Sequence, residues 1–136
     1  MIMKLLILHG PNMNLFGIRS AAQKSNVTLD KINRHIRKHI RKKNIEIKII
    51  QTHSEVKAVS YIQNNRNKFD GMILTAGSWS ECGYILDDLL NIIKLKHIII
   101  NINNQDKNKL FSPEKIFFND NILLSFEEAI DYFNES

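Results

Sequence analysis

Cysteine, long apolar runs and an aromatic partner for its positive charge are what this chain has little of. Cys82 is the single cysteine, which excludes a disulfide framework within the chain and fits a reducing compartment. The cytoplasm is therefore the expected location. The first apolar run, residues 5–9, stops at Gly10-Pro11. A signal peptide or membrane span needs a longer run, and neither is expected. No repeats, linkers or low-complexity tails divide the 136 residues, so one domain over 1–136 is expected.

What is present is apolar residue and basic charge. Hydrophobic residues make up 43% of the chain, enough for a core without a disulfide or metal staple. Ile, Lys and Asn are over-represented, in keeping with AT-rich coding DNA. Nineteen Lys and Arg stand against fourteen Asp and Glu, a net charge of +5. Much of it falls in residues 28–43. There Leu29, Ile32, Ile36 and Ile40 recur at helical spacing, while Arg34, Arg37, Lys38 and Arg41 fall on another face. No aromatic platform or base-reading motif lies nearby, so this face is read as solvated and a nucleic-acid partner is not expected.

Along the chain, strand and helix alternate. Residues 4–9, 45–51, 70–76, 96–102 and 121–125 read as strands, and the unbroken isoleucines of the fourth imply burial on both faces. Thr28 and Ser54 are N-cap candidates for helices to about residues 43 and 65, the second with Val56, Val59, Tyr61 and Ile62 inward. Residues 82–94 carry Ile85, Leu86, Leu89, Leu90 and Ile93 at helical spacing, and Ser125 is taken as the cap of a last helix ending near Phe133. The alternation predicts a parallel sheet with helices on both faces. Ligands of such folds bind beyond the carboxyl ends of the strands. Any site is then expected in four loops: 10–26 (read as irregular), 52–53, 76–81 and 103–109.

The first loop reads HGPNMNLFGIR from His9 to Arg19. This resembles the opening signature of type II 3-dehydroquinate dehydratases, a strand running into G-P-N-x-N-x-x-G-x-R. The resemblance continues through QTHSE at 51–55, DGMIL at 70–74 and residues 95–104, and thins past Phe111. It implies a flavodoxin-like, doubly wound five-stranded parallel sheet of order 2-1-3-4-5. It also implies a dodecamer built as a tetramer of trimers, and removal of water from 3-dehydroquinate with no metal or organic cofactor. In the family a Tyr activated by an Arg removes the proton, an Asn holds a water on the enolate oxygen, and a His is the acid. Backbone amides and polar side chains after the fourth strand take the carboxylate of the anionic substrate.

Carried over residue by residue, Asn12 matches the enolate-supporting Asn, Arg19 the lid Arg, and Asp88 a carboxylate that reaches a neighbouring subunit's site. Glu55 matches a helix-start residue and reads more readily as a carboxylate favoured by the helix dipole. Ile102 and Asn103 stand in the carboxylate-binding loop, Asn103 replacing a Ser. The departures fall on the chemistry. Lys24 stands at the Tyr position, Asn101 at the acid position, Ile99 at the Glu that orients that acid, and Asn108 at a substrate-clamping Arg. Thr75 replaces an Asn, and Glu81 replaces a His, bringing a negative charge towards a negative substrate. Lys24 reads as a solvated loop lysine or as a replacement base, and Asn12 as a turn residue or a ligand contact.

The expectation is a homologue whose dehydratase activity is weak or lost. Two alternatives stand beside it: a working enzyme in which Asn12, Arg19 and Lys24 carry the elimination, and a non-catalytic oligomeric scaffold binding an anionic small molecule or a partner. A receiver module would need acidic residues where His9-Gly10 stand, and a flavin module would need a Ser/Thr-rich loop after the first strand.

Overall fold

The computed structural model describes residues 1–103 and 110–135. Five parallel strands form one sheet: β1 (Met3–His9), β2 (Ile45–Gln51), β3 (Gly71–Thr75), β4 (His97–Ile100) and β5 (Lys115–Phe117). Their order is β2-β1-β3-β4-β5, as the family resemblance implies. Among the described residues, five helices lie between the strands, α1 (Phe16–Ala22), α2 (Leu29–His39), α3 (Glu55–Asn64), α4 (Trp79–Cys82) and α5 (Tyr84–Ile93), and α6 (Ile122–Glu135) follows β5.

Side-chain alternation along the strands splits the core into two layers. Leu5, Ile7, Ile73, Ile98 and Ile100 pack with Phe16 of α1, Ile32 and Ile36 of α2, and Phe126, Ala129, Ile130 and Phe133 of α6. Leu6, Leu8, Met72, Leu74 and Ile99 pack on the other face with Ala58, Val59 and Ile62 of α3, Trp79 of α4, and Leu86, Leu89 and Leu90 of α5. Two of the three expected N-caps are in place: Thr28 accepts from the Lys31 N–H and Ser54 from the Lys57 N–H.

Several expectations are corrected. The fifth strand is Lys115–Phe117, with Ile116 paired to Ile99, and residues 121–125 instead open α6. Asn121, whose Oδ1 accepts from the Leu123 N–H, takes the capping part assigned to Ser125, which lies buried inside the helix. A three-residue edge strand carries too few residues to show a period, whereas Ile122, Phe126, Ala129, Ile130 and Phe133 recur at helical spacing. The loop after β1 is not irregular: a 3-10 turn at Met13–Leu15 leads into α1. The helix expected over 82–94 begins earlier and breaks at Gly83, where a Cβ would stand 2.7 Å from the Trp79 carbonyl oxygen. Val56 and Ile85, expected inward, face outward.

Candidate functional site

Register brings the carboxyl ends of the central strands level, because His9 of β1 lies opposite Gln51 of β2 and Thr75 of β3. The chain then turns sharply. Gly10 donates its N–H to the Thr75 carbonyl at 3.0 Å, and a Cβ there would stand 2.6 Å from that same oxygen. Only glycine fits so close an approach. Asn12 follows in the left-handed region at φ 67°, which Asn tolerates better than most residues.

The end of β2 holds this turn from the side. The Thr52 N–H donates to the His9 carbonyl at 3.0 Å, Gln51 Nε2 to the Gly10 carbonyl at 3.3 Å, and the Asn12 N–H to His53 Nδ1 at 3.0 Å. A backbone N–H can only donate, so Nδ1 is the acceptor and the His53 ring proton sits on Nε2. Beneath the turn His9 is fully buried, its Nε2 2.8 Å from Asn33 Oδ1 and its ring edge-on to Phe126. Burial pushes its pKa down to about 4, against a smaller opposing effect of the Asn33 hydrogen bond. His9 Nδ1 and Thr75 Oγ1 are buried without a hydrogen-bond partner.

Beside the turn, between α1, the chain leaving β4 and the start of α6, lies a cleft of about 340 Å³. Arg19, Gln23, Ser25, Ile102, Asn103 and Asp120 contribute its polar and central wall, with Phe16, Val27, Ile122 and Leu123 as apolar lining. α1 is anchored over it by Ser20, whose buried hydroxyl donates to the Val27 and Gly17 carbonyls. The cleft offers an anion the Arg19 guanidinium and the positive end of the α6 dipole, against the repulsion of the Asp120 carboxylate in the same lining.

The structure thus brings Arg19, Ile102 and Asn103 onto one cleft. Asn12 and Thr75 stand at the neighbouring ends of β1 and β3, Asn12 exposed and Thr75 buried. Asn101 leaves β4 half-buried, its N–H donating to the Phe117 carbonyl at 2.9 Å. Lys24 follows α1 on an exposed left-handed turn, φ 61°, and is not among the described residues that line the cleft. Glu81 on α4 and Asp88 on α5 are exposed. Asn108 lies outside the described residues. Glu55 does more than start its own helix: its carboxylate accepts the Leu86 N–H at 3.0 Å and so caps α5.

Sequence reasoning passed over His9 and His53. Their positions beside G-P-N and at the end of the second strand were signals, but their partners lie 24 and 41 residues away. Among the described residues no group of three or more His, Cys, Asp or Glu is arranged to hold a metal ion. No helix among them is long and apolar enough to cross a membrane.

The family model described as dehydroquinase class II matches residues 3–120, and the chain belongs to that family. It is 28% identical over 145 aligned positions to the 3-dehydroquinate dehydratase of Dictyoglomus turgidum, covering 98% of this chain and 100% of that protein. It is 32% identical over 101 positions to the 3-dehydroquinate dehydratase of Endomicrobium trichonymphae, covering 74% and 71%. Its fold matches the crystal structure of type II dehydroquinase from Butyrivibrio crossotus with a TM-score of 0.85, at 26% identity and 98% coverage of both chains.

Proposed function

We propose that this chain is a cytoplasmic class II dehydroquinase homologue that keeps an anion-accepting cleft while its dehydratase activity is weak or lost. The observation that carries this is the make-up of the cleft: no Tyr, His or Lys is among the described residues lining it. Converting 3-dehydroquinate to 3-dehydroshikimate and water requires a group to take the proton beside the ketone, support for the enolate, and a proton for the departing hydroxyl. Lys24, at the family's base position, stands outside the lining, and Asn101, at the acid position, has a carboxamide with no proton to give.

His53 stands beside Asn12 but does not fill either part as it is arranged. Its lone pair is engaged by the Asn12 N–H, so it is no base. Nor is His53 among the described residues lining the cleft, so its Nε2–H is not placed there as the acid. Each acid-base group contributes about 10²–10⁴-fold, and groups acting as a unit do not add. Losing both leaves binding and positioning alone.

Arg19 and the α6 terminus supply what an anionic ligand would meet. For assembly we favour self-association in the family's trimer-based dodecamer, with Asp88 reaching a neighbour's cleft. Asp88 shares an exposed stretch of α5 with Tyr84, Ile85 and Ile92, apolar side chains that a second copy would cover. The basic face of α2 is left as a solvated surface rather than a nucleic-acid site.

The deciding experiment follows the ultraviolet absorbance of the enone product at high protein concentration. The expected outcome is turnover at least about 10³-fold below the ordinary enzymatic range of about 1–10³ s⁻¹. Turnover within that range overturns the proposal, and its persistence in Lys24→Ala would exclude Lys24 as the base.

A further inference from the structure

The G-P-N turn presents a conformational problem that its own residues do not solve. Asn12 is held at φ 67°, exposed, between a proline and the 3-10 turn in which Leu15 N–H reaches back to the Asn12 carbonyl at 2.9 Å. Met13 N–H returns to the Gly10 carbonyl at 3.3 Å, so the N–H groups on the C-terminal side of the turn are used locally. The Asn12 N–H instead points across to the adjoining strand end, and the acceptor it meets there is the imidazole of His53.

We propose that His53 is a positioning residue: through Nδ1 it fixes the Asn12 amide, and so aims the Asn12 side chain for the ligand. This rests on the reading of the turn as part of an anion-accepting site. Three consecutive residues of the β2 end act on three of the turn: Thr52 on His9, Gln51 on Gly10, His53 on Asn12. The first of these continues the sheet ladder and needs no particular side chain. The third depends wholly on side-chain chemistry, because the acceptor must be a side-chain lone pair at that reach. With Nδ1 accepting, the exposed ring keeps Nε2–H as a second donor beside the turn. His53 thereby serves the loop through Nδ1 and offers a ligand the Nε2–H.

The test compares the full-length chain with His53→Leu, which keeps bulk and removes the acceptor, and with His53→Gln, whose side-chain carbonyl can accept the same N–H. Two measurements are made: deuterium uptake of the peptide spanning residues 10–15 by mass spectrometry, and titration of 3-dehydroquinate by calorimetry. The expected result is faster uptake and about five- to tenfold weaker binding in His53→Leu, the worth of one hydrogen bond, with substantial recovery of both in His53→Gln and a folded chain in all three. Unchanged uptake in His53→Leu, or no recovery in His53→Gln, overturns the proposal. Absence of binding by the unsubstituted chain overturns the functional reading and the ligand half of this one, while the uptake comparison separately decides whether His53 holds the turn.

Discussion

His9 illustrates how a single buried side chain can set the acid limit of the whole fold. Folded, its imidazole is neutral, its pKa pushed from the ordinary 6.5 to about 4 by loss of water. Unfolded, it binds a proton below about pH 6.5, so stability is fully present above that pH and is lost as pH falls from 6.5 to 4. The loss attributable to His9 approaches about 3 kcal/mol at the lower end. His97, also buried and lowered by desolvation, acts in the same direction. Urea unfolding between pH 7.5 and 4.5 should show this decline, and His9→Leu should flatten it. None of this was legible in the sequence, where His9 is one polar residue ending an apolar run. Its burial follows from Asn33 and Phe126 closing over it. His53 was hidden for the same reason, whereas Arg19, Ile102 and Asn103, singled out by the resemblance, lie together on one cleft.

Helices α2 and α6 meet through polar as well as apolar contacts. Beyond the Ile32, Ile36 and Ile130 layer, His35 Nε2 lies 2.6 Å from Glu127 Oε2 and His39 Nε2 2.8 Å from Asp131 Oδ1. His35 and His39 are four residues apart on α2, as are Glu127 and Asp131 on α6, so the four side chains form a two-rung clasp. These groups are partly exposed, with His35 and Glu127 side chains 31% and 29% accessible. The expected cost of Glu127→Ala is therefore about 1 kcal/mol. A double-mutant cycle with His35→Ala should return a coupling of about 0.5 kcal/mol or more, and strict additivity would show that the contact contributes nothing. Element by element, the long periodic segments were legible: β1 to β4 in outline, and α2, α3 and most of α5. The failures were α1, the break between α4 and α5 at Gly83, the start of α6, and β5, a strand of three residues that depends on pairing with β4 rather than on any pattern of its own.

For the molecule as a whole, alternation of strand and helix determined the layers, and the motif's resemblance determined the strand order that the sheet adopts. What neither could supply is which surfaces stay dry in solution. Tyr84, Ile85 and Ile92 are each more than half exposed along α5. A monomer should not tolerate such a stripe well. Light scattering of the 15.8 kDa chain is expected to give the mass of a dodecamer, and Ile92→Lys a smaller species. A monomer before substitution would leave Asp88 without the neighbouring cleft proposed for it.

The close approach of Gly10 to the Thr75 carbonyl has an evolutionary corollary. That glycine is demanded by the meeting of two strands, so selection for a foldable chain alone would preserve it after the reaction had lapsed. A signature built round it marks ancestry and architecture in silent and working relatives alike, and telling them apart falls to the side chains that handle protons.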